Sequence, residues 1–436
     1  MELEHILQED AVPMPVYFAY ETPELRDMYS SVATHGGQSG SVAEEMWQML
    51  KSSGFQLVVP GAQARALTDF ELTSIQGKLS GFGVEEHLPT GVIVAHYDSY
   101  GISPALSFGA DSNGSGVAAL LELVRLLSRL YTSSRTHPQF NLIFLLSAGG
   151  KFNYHGTKKW IEDNIDSSEG SLLPDSLFTM CLDSLGADDE LYFHVSKPPK
   201  EGSAPAALLA ELQRVVRELY PDELQVSLVH KKINLADETL AWEHERFSMR
   251  RLPAFTLSRL ASHRALSRAS VFDTRERVQL GKLSRNVKVI AEALVRVLYN
   301  TTGVKFTEVF TESLAVQPGY LATWLNLLSN EARSVQLLAS SKTKVVQTLE
   351  EAMGKHLKEV ALSTFSPDRR DPEVTFYDTS VAVMNAYSVK PAVFDLFLAA
   401  LIAAYLATVY VLVLNFHCVQ RVVGILSLPV MRSKAN

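Results

Sequence analysis

Residues 91–101 read GVIVAHYDSYG, and residues 107–123 read SFGADSNGSGVAALLEL. The first stretch begins with an apolar run, which predicts a buried strand over 91–97 that ends in polar residues. The second begins with a glycine-rich loop and continues with apolar residues at helical spacing, which predicts a helix over 114–130. A buried strand followed by a polar loop and an amphipathic helix is typical of α/β domains.

The same alternation continues on both sides of these stretches. Further strands are predicted at residues 54–60, 71–79, 139–147, 177–182, 191–195, 224–229 and 253–258, and further helices at 154–165, 204–219 and 280–298. Apolar strands that alternate with helices favour a mostly parallel sheet covered by helices on both faces. We therefore expect one large α/β domain over residues 51–303.

Two regions flank this domain. Residues 1–50 are predicted to be an incomplete N-terminal segment, because the chain begins close to the first recognisable elements. Residues 304–390 are predicted to form a small membrane-proximal segment, helical over 321–362 and extended over 373–384.

The last part of the chain is predicted to cross a membrane. Leu396–Leu414 contains 19 consecutive residues without a charge. At about 1.5 Å per residue, a helix of this length nearly spans a ~30 Å hydrocarbon core. We therefore expect a single transmembrane helix within residues 391–417 and a short tail at 418–436.

The composition excludes several classes of protein. The chain has 436 residues, of which 47% are hydrophobic, and a formal net charge of −8. A chain this apolar is not mainly disordered, and the acidic excess argues against a dedicated nucleic-acid binder. The two cysteines, Cys181 and Cys418, are too few and too far apart for a disulfide framework or a thiolate zinc site.

Polar residues that could bind metal lie near the ends of the predicted strands. His96 and Asp98 come at the end of one strand, Asp111 lies in the glycine-rich loop, Asp183 ends a later strand, and His263 follows the strand at 253–258. In a two-zinc hydrolase, one carboxylate bridges metals about 3.5–4 Å apart, and imidazoles and further carboxylates complete each shell. Each residue alone is weak support, but the ordered set favours such a site.

This ordered set resembles that of the co-catalytic zinc aminopeptidases, which have the phosphorylase/hydrolase-like fold. The resemblance covers about residues 50–303 and implies a role for each residue. It assigns His96 and His263 to the histidine ligands, Asp111 to the bridging aspartate and Asp183 to a terminal ligand. It assigns Asp98 to the carboxylate that orients the first histidine.

The sequence departs from that family after the strand at 139–147. The family carries two adjacent glutamates there, a general base and a zinc ligand, whereas this chain has Gly150 and Lys151. Glycine cannot accept a proton, and an ammonium repels zinc. Loss of the base alone removes a factor of about 10²–10⁴ in rate. We therefore expect a pseudo-peptidase with no catalytic residues, in which the ligand positions are remnants that hold no metal.

Two alternatives stay open. The first is an active co-catalytic zinc aminopeptidase with a rearranged site, using His96, Asp111, Asp183 and His263. The second keeps the pocket as a binding site for a peptide N-terminus or a small ligand, without turnover.

A degenerate aminopeptidase-like domain, a further segment and one C-terminal span together resemble the nicastrin/nicalin group of membrane proteins. The stretch LLSAGGKFNYHGTKKW at residues 145–160 adds to this resemblance. The resemblance implies a scaffold subunit of an endoplasmic-reticulum complex that assists multi-pass membrane protein insertion and assembly at the translocon. The implied partners are Nodal modulator, a small multi-spanning membrane protein, the translocon and membrane lipid.

The resemblance also implies a glycoprotein whose large domain is luminal and whose short C-terminal tail is cytosolic. Met1–Asp10 is acidic and has neither the basic nor the apolar region of a signal peptide, which suggests a shortened form. Basic residues balance on the two sides of the span, so the positive-inside rule does not decide the orientation. A tail-anchored chain with a cytosolic domain is therefore the alternative.

Two smaller features of the sequence are its N-glycosylation patterns and a basic segment. Asn113 and Asn300 each begin an N-glycosylation pattern, and Asn300 is the better candidate because it follows a long helix at a domain edge. Residues 246–288 hold 11 Lys or Arg against Asp273 and Glu276. We expect this basic segment to be a solvated face, with a docking surface for an acidic partner or lipid headgroups as the alternative.

Overall fold

The structure is a computed structural model that falls into two compact units. The first unit comprises Met1–Pro15 and Ala64–Ser380, and the second comprises Val16–Gln63 and Val381–Asn436. The residues described are 1–9, 13, 16–35, 54–60, 65–68, 70–84, 87–166, 173, 176–339, 343–368, 370–371, 373–378, 383–390, 392–417 and 420.

An eight-stranded mixed sheet forms the centre of the first unit. In chain order its strands are β2 (Leu72–Leu79), β3 (Thr90–His96), β4 (Asn141–Ser147), β5 (Ser176–Leu182), β6 (Glu190–Val195), β7 (Gln225–His230), β8 (Ala254–Ser258) and β9 (Glu359–Phe365). Their order across the sheet is β7-β6-β8-β5-β3-β4-β2-β9. The four central strands β4, β3, β5 and β8 are parallel, so their carboxyl ends meet at one edge.

Helices cover both faces of this sheet. In chain order the unit contains α1 (Glu2–Glu9), α3 (Gly114–Thr132), α4 (His155–Asp166), α5 (Ala204–Leu219), α6 (His244–Met249), α7 (Leu280–Leu298), α8 (Pro318–Asn330) and α9 (Lys344–Gly354). Strand β3 shows how the two faces differ. Its Ile93 packs into the large core that includes α3 and α7, whereas its Val92 and Val94 pack into a smaller core with Trp160 of α4. Every residue of β3 is buried, as expected for a central strand covered on both faces.

The second unit contains a two-stranded antiparallel sheet and two helices. The sheet pairs β1 (Gly54–Val58) with β10 (Asn385–Val389), and the helices are α2 (Pro23–His35) and α10 (Ala392–Leu414). Within α10, Phe394–Leu414 has a mean hydropathy of 2.5 and is not buried. Among the described residues, α10 is the one helix long and apolar enough to cross a membrane. Apart from residue 420, the predicted tail lies outside the described residues, and so does Cys418.

The predicted fold class is confirmed: the sheet is mostly parallel at its centre, helices cover it, and one apolar helix follows near the C-terminus. Helices α5 and α7 have the predicted bounds, and the eight predicted strands are shifted by at most two residues at either end. The predicted boundaries between domains stay a prediction.

The structure differs from the prediction in the membrane-proximal segment, where the predicted helix is wrong. The helix predicted over 321–362 is divided into α8 and α9, and α9 ends at Gly354, a residue that disfavours helix interiors. The chain then forms β9, which pairs antiparallel with β2 and extends the main sheet beyond residue 303. Of the strand predicted over 373–384, residues 373–378 make only isolated bridges, and residues 379–382 lie outside the described residues. The strand β10 begins just after this range, at Asn385.

Candidate functional site

The candidate site lies at the carboxyl ends of β3, β4, β5 and β8. His96 is the last residue of β3, Lys151 follows β4, Asp183 follows β5, and Arg259 follows β8. Parallel strands bring these loops to the same edge of the sheet, which is where functional loops of α/β domains cluster. A cavity of about 270 Å³ opens beside them and is lined by Gly150, Lys151, Arg268 and other residues.

Asp183 is held by an arginine. Nε and one terminal nitrogen of Arg268 donate to the same carboxylate oxygen of Asp183, at 3.1 and 2.6 Å, and the Ser184 hydroxyl donates to the other oxygen at 3.0 Å. Burial alone would raise the pKa of Asp183, but the positive charges of Arg268 and Lys151 outweigh it and hold the pKa well below its usual range. The carboxylate therefore stays ionised and is neutralised by protein cations.

Asp111 has a similar arrangement. Its carboxylate accepts a hydrogen bond from Nε of Arg259 at 2.6 Å and others from the Gly186 amide and the Ser115 hydroxyl, both at 2.8 Å. Arg259 also pairs with Asp188. Both oxygens of the predicted bridging carboxylate are thus occupied by donors from the chain itself.

His96 is contacted by a different carboxylate from the expected one. Its ring is fully buried, and Nδ1 lies 3.4 Å from a carboxylate oxygen of Glu243, whereas Nε2 has no hydrogen-bond partner. The other oxygen of Glu243 accepts hydrogen bonds from the hydroxyls of Ser147 at 2.7 Å and Thr157 at 2.6 Å. Glu243 thus lies on the side of His96 that the resemblance gave to Asp98.

Asp98 instead organises the loop after β4. Its two carboxylate oxygens accept hydrogen bonds from the backbone amides of Gly150, at 2.7 Å, and Lys151, at 2.9 Å. The structure therefore gives Asp98 a role in fixing the backbone at the positions where the aminopeptidases carry their two glutamates. This arrangement accounts for the retained aspartate without any metal.

Gly150 has no room for a side chain. A Cβ atom built on Gly150 would lie 2.2 Å from Cβ of His96 and 2.3 Å from Cγ of the same ring. Such distances require that the backbone or the imidazole move. Because Gly150 has no side chain, the loop after β4 can lie directly against His96.

Lys151 extends into the site. Its ammonium donates to the Ser112 hydroxyl at 2.5 Å and to the carbonyl oxygen of Arg268 at 3.0 Å. Burial lowers the pKa of Lys151 to about 8, and the charges of Asp183, Asp98 and Asp273 oppose this shift. At neutral pH the side chain is mostly protonated, so the site carries a positive charge at a position that resembles that of a zinc ligand.

His263 lies on the wall of the cavity rather than beside Asp111 or Asp183. It is partly buried and makes no hydrogen bond to any described residue. Burial, together with the nearby charges of Lys231, Arg268 and Arg264, lowers its pKa to about 4. His263 is therefore neutral at pH 7 and directed to the cavity.

These residues do not fit a zinc centre. The carboxylates of Asp111 and Asp183 are paired with arginines, and Lys151 adds a further cation to the same site. A zinc ion would be repelled by these charges and would have to displace the guanidinium groups from both carboxylates. In the described part of the chain, no three His, Cys, Asp or Glu side chains form a group that could hold a metal ion. No catalytic step through zinc follows from this arrangement.

Two buried charged residues support the loops and were not identified as site residues from the sequence. Arg333 is fully buried and donates to the carbonyl oxygens of Tyr97, Phe108 and Gly109, at 3.1, 2.9 and 2.7 Å. Burial lowers its pKa to about 10. Asp273 accepts from the backbone amides of Asp111 and Ser112, and burial together with the Asp111 charge raises its pKa to about 6. Arg333 follows α8, far along the chain from the loops that it joins.

The basic segment 246–288 supplies many of these counter-charges. Arg246 pairs with Asp371 and Arg285 with Asp189, in addition to the Arg259 and Arg268 pairs described above. The expectation of a solvated face is therefore wrong for these four arginines, whose side chains are at most 14% exposed. A buried carboxylate needs a nearby cation. The high density of arginines in this segment was the feature of the sequence that could have predicted these ion pairs.

The two glycosylation patterns differ in exposure. Asn113 is fully buried, and its amide donates to the carbonyl oxygens of His96 and Leu182, so the folded domain has no room for a glycan there. Asn300 lies just after α7 and is exposed. Glycosylation of Asn300 stays a prediction.

Comparisons with known proteins agree with this fold. Residues 77–285 match the family model "Peptidase family M28". The protein "BOS complex subunit ncln" of Danio rerio is 51% identical over 95% of this chain and 76% of its own length. "BOS complex subunit NCLN" of Homo sapiens is 49% identical over 97% of this chain and 76% of its own, and "Nicalin" of Caenorhabditis elegans is 28% identical over 94% and 75%.

A solved structure has the same fold. The gamma-secretase component nicastrin aligns over 84% of this chain and 76% of its own, with a TM-score of 0.55 and 10% sequence identity. At that identity the likeness concerns the fold alone.

Proposed function

The chain belongs to the nicalin family, and on that premise we propose that it is a non-catalytic, membrane-anchored subunit of a multi-protein complex. Relatives at about half identity are named as BOS complex subunits, and this chain aligns with them over nearly its whole length. Its role in such a complex is to present a folded surface to partner proteins rather than to turn over a substrate.

One observation carries the non-catalytic assignment: Arg268 and Arg259 occupy the carboxylates of Asp183 and Asp111. A peptidase of this fold needs those carboxylates for metal and a further carboxylate to accept a proton from water. Here the carboxylates are neutralised by arginines, and Gly150 offers no proton acceptor. Glu243 does not replace it, because both of its oxygens already contact Ser147, Thr157 and His96.

We extend the proposal to location and partners. The complex is one of the endoplasmic-reticulum membrane that assists insertion and assembly of multi-pass membrane proteins at the translocon. Nodal modulator and a small multi-spanning membrane protein are its further subunits, and α10 contacts membrane lipid. The exposed apolar surface of α10 supports a membrane anchor, and the exposed Asn300 offers a glycan acceptor that a luminal domain would use.

The test is affinity capture of the full chain from membranes in a mild detergent. We expect Nodal modulator and translocon subunits to be recovered in amounts comparable with the bait. A full chain that migrates as a monomer, without these proteins, would refute the proposal.

A further inference from the structure

The cavity beside the former catalytic loops has an unusual charge distribution. It measures about 270 Å³, and its lining includes the basic residues Lys151, His263, Arg264 and Arg268 but no aspartate or glutamate. Asp183 lies behind this wall and is engaged by Arg268. The wall that faces the cavity is therefore basic, and the carboxylate lies behind it.

Three of these basic side chains have donors that the described protein does not use. An ammonium has three donors, and Lys151 directs two of them to the uncharged oxygens of Ser112 and Arg268. The side chains of Arg264 and His263 form no hydrogen bond or ion pair with any described residue. The remaining polar lining includes Tyr154, whose hydroxyl accepts from Arg268 at 2.6 Å.

The charges of the cavity select the ligand. No carboxylate oxygen among the described residues lies within ion-pair distance of Lys151, although the ammonium is largely removed from water. A carboxylate supplied from outside would take the remaining N–H of Lys151 and reduce the cost of burying that charge. A peptide N-terminus would instead bring an ammonium close to Lys151, Arg264 and Arg268, which like-charge repulsion disfavours.

The volume of the cavity and the apolar part of its lining limit the ligand to a short group. Leu240, Leu266 and Ala265 also line the cavity, and Tyr100 packs edge-on against Phe152 at its border. A space of this volume accepts about one residue, with its carboxylate against Lys151 and its aliphatic atoms against the leucines.

We propose that this cavity is a binding site for a peptide carboxylate, supplied either by a C-terminus or by an acidic side chain. Lys151 and Arg264 are its anion-binding residues, and His263 provides an additional donor. The site performs no bond cleavage, and it stands independently of whether the chain assembles with the partners named above.

The experiment measures fluorescence anisotropy of labelled pentapeptides with the full chain in detergent micelles. The probe ends in Ala-Leu with a free carboxylate, and the matched peptide ends in the same residues as a C-terminal amide. We expect saturable binding of the acid and at least tenfold weaker binding of the amide. A third peptide, an amide with an internal Glu, identifies the source of the carboxylate. If it binds as well as the acid, the site also accepts acidic side chains; if it fails while the acid binds, the site is restricted to C-termini.

Two variants locate the binding. Lys151→Met keeps most of the side-chain volume without the charge, and Arg264→Met changes an exposed residue whose side chain forms no hydrogen bond or ion pair with a described residue. Each should weaken binding of the acid about fivefold or more, whereas Lys355→Met, at an exposed position at the end of α9, should not. Four results would overturn the proposal. The acid and the amide could bind equally, or the site could prefer a free N-terminus. Neither the acid nor the Glu peptide could show saturable binding up to about 1 mM, or binding could be unchanged in both cavity variants.

Discussion

The guanidinium of Arg268 and the carboxylate of Asp183 form a buried ion pair, with two nitrogens of Arg268 on one oxygen of Asp183 at 2.6 and 3.1 Å. The same guanidinium donates to the Ala241 carbonyl and lies 4.5 Å from the centre of the Trp242 ring. Arg259 also pairs with Asp111, but through Nε alone, at 2.6 Å. The resemblance to zinc aminopeptidases assigns these two aspartates to metal ligands. In this chain, each aspartate forms an ion pair with an arginine of the basic segment 246–288, in the loop after β8.

Removal of Arg268 should destabilise the protein strongly. Arg268→Met leaves Asp183 buried without its cation, and the loss of one member of a buried pair typically costs about 3–5 kcal/mol. The double variant Asp183→Asn with Arg268→Met should recover part of this loss, because no charge is left unpaired. Urea unfolding of the full chain in micelles measures both.

The control for this prediction is Lys159→Met, which breaks the exposed pair with Asp163 and should cost less than about 1 kcal/mol. If Arg268→Met costs no more than this control, the pair does not hold the site together.

Introducing a glutamate at position 150 should damage the fold rather than create activity. Even the Cβ atom of Gly150→Ala would lie 2.2 Å from Cβ of His96, and overpacking of this kind typically costs about 1–3 kcal/mol. Gly150→Glu should cost at least as much and yield no hydrolysis of aminoacyl substrates. The expected result is a lowered unfolding midpoint for both variants.

Gly281→Ala is the matched control, because Gly281 lies in α7 with no atom near its added Cβ. It should be neutral or stabilising by up to about 1 kcal/mol. Aminopeptidase activity in Gly150→Glu would contradict the steric argument directly.

Acid should destabilise the domain partly through His194. This buried imidazole stacks on Trp242 and donates from Nε2 to the Leu260 carbonyl at 2.8 Å. Burial, with Arg268 and His263 nearby, lowers its pKa to about 4, while the Leu260 carbonyl and Asp183 oppose the shift. Because the unfolded imidazole binds a proton near pH 6.5 and the folded one only near pH 4, stability falls as the pH falls between these values, by about 3 kcal/mol.

The measurement is urea unfolding of the full chain at pH 6.5 and at pH 4.5. His194→Gln should lose less stability over this interval than the unmodified chain, and His87→Gln, at an exposed position, should behave as the unmodified chain does. If the free energy of unfolding falls equally in the unmodified chain and in both variants, His194 is not responsible for the loss of stability in acid.

The exposed Asn300 should carry a glycan if the large domain is luminal. Thr302→Ala destroys the Asn-x-Thr pattern, whereas Thr301→Ala preserves it. We expect a shift on treatment with a glycosidase in the unmodified chain and in Thr301→Ala, and no shift in Thr302→Ala. A chain without any glycan would argue for the opposite orientation of the domain.

The sequence predicted the sheet because its buried strands are short apolar runs, of which 91–97 and 139–147 are clear examples. It also predicted which loops meet, since His96, Asp111 and Asp183 follow strands or enter a helix at the same edge. These features depend on local patterns of about ten residues, which a single sequence contains.

The contacts within the site could not be predicted in the same way. Glu243 lies 147 residues from His96, and Arg333 contacts the carbonyl oxygens of Tyr97 and Gly109, more than 220 residues away. Which carboxylate meets which cation depends on the packed arrangement of several loops. Strand β9 was missed for a related reason, because its pairing partner β2 lies almost 300 residues earlier.

The metal content of the purified full chain tests the central claim most directly. The chain is purified with zinc present and then dialysed. Elemental analysis should give well below 0.1 zinc per chain, and Asp183→Asn should give about the same value. One or two tightly bound zinc ions per chain, lost in Asp183→Asn, would contradict the conclusion that arginines, rather than zinc, occupy the carboxylates of Asp111 and Asp183.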